Sequence, residues 1–264
     1  MPSDLFAADW LPEFEYQETV LGALRSGKES EVYLVARTAG GRTALMAEKR
    51  FLARDHRLFD NTYVYAGIWG AGGRHESRAM KKNTRFGQEH RHTRWVVNEW
   101  VNLVHLYDAG VTVPPPVGLV EDGVLCGAPH GACDGYRMGF IGDGLVAAPR
   151  LASVHLDRTT ATRVWGELLA DLGRMLDAER VHGDLSAYNV LWWRERAVLI
   201  DFSQTVELVT HPAARDLLVR DLTSLGAYFK RRGVAIDLDR TLEQIGADAR
   251  RFTHQAVPTR PQRW

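Results

Sequence analysis

Apolar and turn-forming positions divide the chain into a strand-rich first half and a helix-rich second half. Short apolar runs over Glu31 to Ala36 and Arg42 to Phe51, separated by turn residues around Thr38 to Gly41, predict a pair of antiparallel strands. Three further strands are expected at Val117 to Leu119, Val124 to Cys126 after an Asp122-Gly123 turn, and Tyr136 to Ile141. Between these groups, Trp95, Val96, Trp100, Leu103, Val104 and Tyr107 recur at helical spacing, which predicts a helix from Arg94 to Asp108 that stops before Gly110. Residues Arg54 to Arg94 show no clean period and contain a glycine-rich stretch from Ala66 to Gly73, so a mobile segment is expected there.

The second half begins with Val164, Leu168, Leu172, Met175 and Leu176 on one stripe, predicting a helix capped by Thr159 or Thr160. Val190 to Trp193 and Ala197 to Ile200 are two apolar runs around a polar turn at Glu195-Arg196, which reads as a hairpin. Leu217, Leu218, Leu222, Leu225 and Phe229 mark a helix that stops at Gly233, Leu238 to Ala249 a weaker one, and the basic tail from Arg250 is expected to fray. Antiparallel sheet followed by helices predicts an α+β chain in two lobes, residues 1–141 and 142–264, dividing near Gly142 to Gly144.

With 264 residues and 45% apolar composition, the chain can build a substantial core. Lys plus Arg and Asp plus Glu both total 33, so no global field draws it to nucleic acid or membrane. A contact with RNA or a ribosome would need a local patch, and Arg74, His75, Arg78, Lys81, Lys82, Arg85, Arg91 and Arg94 within 74–94 supply the candidate. No apolar run approaches the roughly 20 residues of a membrane span. The two cysteines, Cys126 and Cys133, match no zinc signature and make no disulfide framework, and a cytoplasmic location is the expectation.

The chemistry concentrates in two stretches, His182-Gly-Asp-Leu-Ser-Ala-Tyr-Asn189 and Ile200-Asp-Phe-Ser-Gln-Thr-Val-Glu207. An Asp followed five residues later by an Asn, then an Asp closing a second apolar run, is the spacing that places a catalytic base and magnesium ligands in kinase-type phosphoryl transfer. The hairpin between them would bring Asn189 and Asp201 to one edge, within reach of one Mg2+, while Asp184 orients the incoming hydroxyl.

These stretches, with Ser26-Gly-Lys-Glu-Ser-Glu-Val-Tyr33, Ala47-Glu-Lys-Arg-Phe51, Trp95-Val-Val-Asn-Glu99 and Met138-Gly-Phe-Ile-Gly142, occur in an order that resembles the RIO family of atypical protein kinases, especially its bacterial members. The resemblance implies a reduced two-lobed protein-kinase-like fold, ATP with Mg2+ or Mn2+ as cofactors, and serine/threonine kinase or ATPase activity on an unidentified protein substrate. It implies that Lys49 contacts the α- and β-phosphates and pairs with Glu99, with Lys28 and Met46 as neighbouring competitors for the lysine's place. Ser26, Gly27, Lys28 and Ser30 would form the phosphate loop, where Gly27 stands alone instead of a G-x-G-x-x-G run. Met138 would line the back of the adenine pocket, with Phe140 and Ile141 offering backbone groups to the base. Asp221 is expected to hold the catalytic loop from below, and His182 to be structural. No Ala-Pro-Glu follows Asp201, so neither an activation loop nor a peptide platform is expected. The resemblance also allows a phosphoryl group to pass to Asp201 itself. Two rival readings are a small-molecule phosphotransferase of the aminoglycoside or choline kinase type and a nucleotide-gated module that binds RNA or ribosomes.

Overall fold

The computed structural model describes residues 15–52, 85–126 and 133–246, with side chains from Trp95 onward in the second stretch. Its larger sheet has six strands: β1 (Gln17–Ser26), β2 (Ser30–Ala39), β3 (Arg42–Phe51), β4 (Pro116–Glu121), β5 (Val124–Cys126) and β6 (Gly135–Gly139). They pair antiparallel in the order β1-β2-β3-β6-β4-β5. Two-residue turns close two of the hairpins. Gly40 and Gly41 have φ of 55° and 75°, and Asp122 and Gly123 have φ of 50° and 78°, the left-handed values such turns demand. Strand β1 had no counterpart in the sequence pattern, because most of its residues are exposed and do not alternate.

A buried ionic ladder ties the sheet together. The Arg137 guanidinium on β6 is 1% exposed; it donates to Glu48 of β3 at 2.5 Å, to Glu18 of β1, and to the Gly123 carbonyl at 2.7 Å. Arg37 on β2 completes the ladder by donating to Glu18 at 2.7 Å. Losing one partner here would strand a charge away from water, at a cost of about 3–5 kcal/mol.

Helix α1 (Arg85–Asp108) packs against this sheet and begins nine residues earlier than the pattern predicted. Its first turns, Arg-Phe-Gly-Gln-Glu-His-Arg-His-Thr-Arg, carry almost no apolar stripe for periodicity to detect. The helix ends as expected at Gly110, whose φ of 77° lets the Val111 N–H turn back to the Leu106 carbonyl.

The C-terminal part holds helices α2 (Arg158–Asp177), α3 (Ala214–Lys230) and α4 (Leu238–Gln244). The α2 cap is Asp157, not a threonine. Its carboxylate accepts the Thr160 N–H at 2.9 Å, and the Thr160 hydroxyl serves that same carboxylate. Helix α4 stops short of the expected Ala249, because Gly246 takes a left-handed φ of 71°. Three short antiparallel pairs lie among the helices: β7 (Gly142–Asp143) with β8 (Val146–Ala147), β9 (Arg180–Val181) with β12 (Val206–Glu207), and β10 (Val190–Trp193) with β11 (Arg196–Leu199). The β10–β11 turn is Arg194-Glu195, with φ of 47° and 59°, and Arg196 belongs to the strand. It is one residue earlier than expected.

One core runs through both parts of the chain, from Phe51, Val96, Leu103 and Tyr136 to Leu168, Leu172, Phe202 and Leu222. A smaller cluster of Val35, Met46, Ile141, Ala148, Trp193 and Val198 joins the sheet to the β10–β11 hairpin. The second hairpin is therefore anchored against the first sheet by hydrophobic burial. That positions its open end for chemistry.

Candidate active site

The loop from His182 to Asn189 is held from beneath by α3. Both carboxylate oxygens of Asp221, which is 1% exposed, accept backbone donors, from Gly183 N at 2.8 Å and Leu185 N at 2.9 Å. The neighbouring Arg220 donates to the Gly183 carbonyl. Gly183 takes a φ of 79°, and a Cβ there would stand 2.2 Å from the Gln204 carbonyl oxygen, so only glycine fits. Burial pushes the Asp221 carboxyl up to about 7, against the pull of the two N–H donors and Arg220. His182 is buried, its Nε2 is 3.2 Å from the Ile200 carbonyl, and its ring lies 5.5 Å from that of Phe202. Burial lowers its pKa, which keeps the imidazole neutral and suits a structural residue.

The second element is a cation between two carboxylates. Strand β3 presents Lys49, whose Nζ donates to Glu99 Oε1 of α1 at 2.6 Å and to Asp201 Oδ1 at 3.0 Å. Glu99 is fully buried, and its Oε1 also receives the Tyr136 hydroxyl at 3.0 Å and the Phe202 N–H at 3.2 Å. Its Oε2 has no partner among the described residues. Burial would lower the Lys49 pKa, but the two carboxylates outweigh it and the net shift is upward. Burial raises Glu99 in spite of Lys49, whereas for Asp201 the attraction of Lys49 outweighs burial and lowers the carboxyl. Lys28 is exposed on the β1–β2 turn and Met46 is buried in the smaller core, so neither occupies the lysine's place.

Asp201 itself has a φ of 71°. For a residue with a Cβ this costs of order 1–3 kcal/mol and persists only where surrounding structure imposes it. The conformation sets Oδ1 against Lys49, with the Ser203 hydroxyl donating to the same oxygen at 3.2 Å.

The hairpin delivers Asn189 and Asp201 to its open end. The register pairs Val190 with Leu199, and the Ile200 N–H donates to the Asn189 carbonyl at 3.0 Å. The Asn189 Nδ2 donates to the Asp184 carbonyl at 2.8 Å and to the Asp184 carboxylate at 3.1 Å. This fixes the amide so that Oδ1 points the other way, where Arg150 Nη1 stands 3.4 Å off while also donating to the Tyr188 carbonyl. The exposed Asp184 carboxylate is thus oriented by the side chain five residues along.

Lys49, Asp184 and Asp201 border a cavity of about 360 Å³ that Glu29, Ser30 and Arg220 also line, whereas Asn189 is not among its lining residues. Of the expected phosphate-loop residues, Ser30 lines it. Ser26 and Gly27 shape the turn above, through a Ser26 hydroxyl bond to Glu31 at 3.1 Å and a Gly27 N–H bond to the Ser30 carbonyl at 2.9 Å. Met138, Phe140 and Ile141 do not border this cavity. Met138 is half-buried on β6 opposite Ala47, the Phe140 N–H is spent on the Leu45 carbonyl, and the Ile141 carbonyl accepts the Ala148 N–H. The basic residues Arg74, His75, Arg78, Lys81 and Lys82 fall outside the described residues, as do the side chains of Arg85, Arg91 and Arg94.

Sequence reasoning missed Tyr136, Ser203 and Arg150, which orient Glu99, Asp201 and Asn189. Tyr136 and Arg150 lie outside the two catalytic stretches, and Ser203, though inside the second, belongs to no spacing that marks a role. No group of three or more His, Cys, Asp or Glu side chains able to hold a metal occurs among the described residues. The donors present fit a metal that takes most of its ligands from substrate. Mg2+ is held by oxygen, through one or two protein ligands together with phosphates and water, and Asn189 Oδ1 and the Asp201 carboxylate are of that kind.

The sequence matches the RIO domain family model over residues 71–241. The RIO-type serine/threonine-protein kinase Rio1 of Thermoplasma acidophilum is 30% identical over 151 residues, covering 57% of this chain and 72% of that protein. The human serine/threonine-protein kinase RIO1 is 28% identical over 239 residues, 89% of this chain but 37% of the human protein, so the chain spans well under half of that relative. Among solved structures, the Cydia pomonella granulovirus kinase PK-1 superposes with a TM-score of 0.43 at 13% identity, covering 73% of this chain and 53% of that one.

Proposed function

Because the chain belongs to the RIO family of atypical serine/threonine kinases, we propose that it moves the γ-phosphoryl group of ATP through the cavity bounded by Lys49, Asp184 and Asp201. The observation that carries the reading is the Lys49 ammonium fixed between Glu99 and Asp201 at 2.6 and 3.0 Å. A cation so placed can neutralise phosphate oxygens at the mouth of the cavity, and an arrangement made before ATP arrives needs no reorganisation during the reaction. Residues up to Ile141 would supply the nucleotide side of the site and those from Gly142 the catalytic side.

Asp184 would orient the acceptor hydroxyl, since it is exposed at the cavity and its carboxylate is aimed by Asn189. Asn189 and Asp201 would hold Mg2+, which when bound screens charge on the phosphates. Ser30 and the Gly27 turn would cover the phosphates, and the base would lie against Met138, Phe140 and Ile141. The RIO relatives named above are archaeal and eukaryotic, so the bacterial placement rests on the motif run alone. The RIO match favours this reading over an aminoglycoside or choline phosphotransferase. RNA or ribosome contact through 74–94 remains a separate proposal, tested by salt-sensitive RNA binding that disappears when Lys81 and Lys82 become Ala.

The short path from Asp201 to α3, occupied by β12 and turns, supports a further step in which the Asp201 carboxylate accepts the phosphoryl group. Incubation with γ-labelled ATP separates the two fates. Label at Asp201 is released by hydroxylamine, whereas label on serine or threonine survives it. Asp184→Asn should bind ATP and transfer nothing to protein substrate. Loss of ATP binding in that variant would remove Asp184 from the role.

A further inference from the structure

The chain has only two cysteines, and the fold brings them together. Cys126 ends edge strand β5, opposite Leu119 of β4, and Cys133 lies two residues before β6. Their sulfur atoms are 3.3 Å apart, and both are thiols. A disulfide bond requires about 2.05 Å. The remaining gap of little more than an ångström can be closed by side-chain rotation and a small shift of β5, which has a neighbour on one side only.

The pair is also asymmetric in the way a stepwise oxidation needs. Cys126 is half-buried, whereas Cys133 is 0% exposed within the main core. Burial and the neighbouring thiol push Cys133 up to about 12, so it is a poor first nucleophile at neutral pH.

From this juxtaposition we propose that Cys126 and Cys133 form a reversible intramolecular disulfide site that responds to peroxide. The Cys126 thiolate attacks one peroxide oxygen, the O–O bond breaks, and the products are a sulfenic acid and hydroxide, which takes up the proton the thiol gave. The Cys133 sulfur then attacks the sulfenic sulfur, its proton leaves with the hydroxyl as water, and the S–S bond forms. Two thiols and one hydrogen peroxide give one disulfide and two waters. A dithiol reductant reverses the reaction. The bond would tie the β5 edge to the residues that lead into β6, where the Asp134 carbonyl accepts the Phe51 N–H at 2.8 Å, and β6 itself carries Tyr136, which reaches Glu99.

The site is independent of the phosphoryl-transfer reading, and its test uses no ATP. The full chain is treated with hydrogen peroxide, denatured, alkylated with iodoacetamide and weighed intact, beside a sample reduced first. Expected is a monomer about 2 Da lighter, with no alkyl groups, against two alkyl groups in the reduced sample. In Cys126→Ser and in Cys133→Ser the remaining thiol should not produce that monomeric species. Two alkyl groups after oxidation, disulfide-linked dimers, or stable sulfinic acid at Cys126 would each overturn the proposal.

Discussion

Replacing Asp221 by Asn tests the support of the catalytic loop directly. The carboxylate satisfies two buried backbone donors, Gly183 N at 2.8 Å and Leu185 N at 2.9 Å. An amide keeps one acceptor and turns an NH2 toward the other donor. One buried N–H is then left without a partner, which costs about 1–3 kcal/mol. For a chain of this size, that corresponds to a fall in the melting midpoint of roughly 2–12 °C. Asp221→Ala orphans both donors and should cost about twice as much. The loop carries Asp184, so turnover should fall further than stability does.

The cost also depends on pH, with a defined sign. The folded carboxyl is pushed up to about 7, above its ordinary value of 3.8, so between those limits the folded state holds a proton that the unfolded state has lost. Stability contributed through this group is therefore full below about pH 4, declines as pH rises, and is lost above about pH 7. Between pH 5 and pH 8 the wild-type protein should lose about 3 kcal/mol that the Asn variant, which cannot ionise, does not lose. Urea unfolding of both proteins at the two pH values measures this difference, and the deficit of the variant should shrink or reverse at pH 8. A variant as stable as the parent at pH 5, or a deficit that grows with pH, would show that Asp221 does not hold the loop as a largely protonated, doubly bonded acid.

Three other substitutions address the rest of the site. Lys49→Met leaves Glu99 buried without the cation that pairs with it; chemical denaturation should show a loss of about 3–5 kcal/mol, and ATP turnover should vanish. Gly183→Ala combines a left-handed φ of 79° with a Cβ 2.2 Å from the Gln204 carbonyl, so thermal melting should reveal at least about 2 kcal/mol of destabilisation, whereas alanine at the open Gly166 should cost nothing. Asn189→Ala should keep the melting midpoint within a few degrees of the parent while raising the Mg2+ concentration needed for half-maximal turnover at least about tenfold, and an unchanged Mg2+ dependence would remove Asn189 from metal binding.

Much of the site was legible in the order of residues because its parts are local. Asp184 and Asn189 share one loop, the hairpin that carries Asn189 toward Asp201 is a short apolar run folded on another, and Asp221 follows Arg220 in a strongly periodic helix. Strand and helix types were readable wherever one face is buried and the other wet. The pattern was silent over β1, which is mostly exposed, and over the first turns of α1, whose sequence carries almost no apolar stripe. What stayed hidden depends on contacts distant along the chain. Only the resemblance supplied the Lys49–Glu99 pairing, across 50 positions, and neither the Lys49–Asp201 contact across 152 nor the Tyr136 hydroxyl that reaches Glu99 from 37 positions away was expected. The Asp157 cap was missed for a smaller reason, since two threonines beside it were equally suited by type and only backbone geometry chooses among them. Spacing along a chain encodes hydrophobic period and turn chemistry, which are properties of neighbours. Which strands and helices pack together sets the electrostatics instead: burial raises Glu99 in spite of Lys49, whereas the same lysine lowers Asp201 in spite of burial.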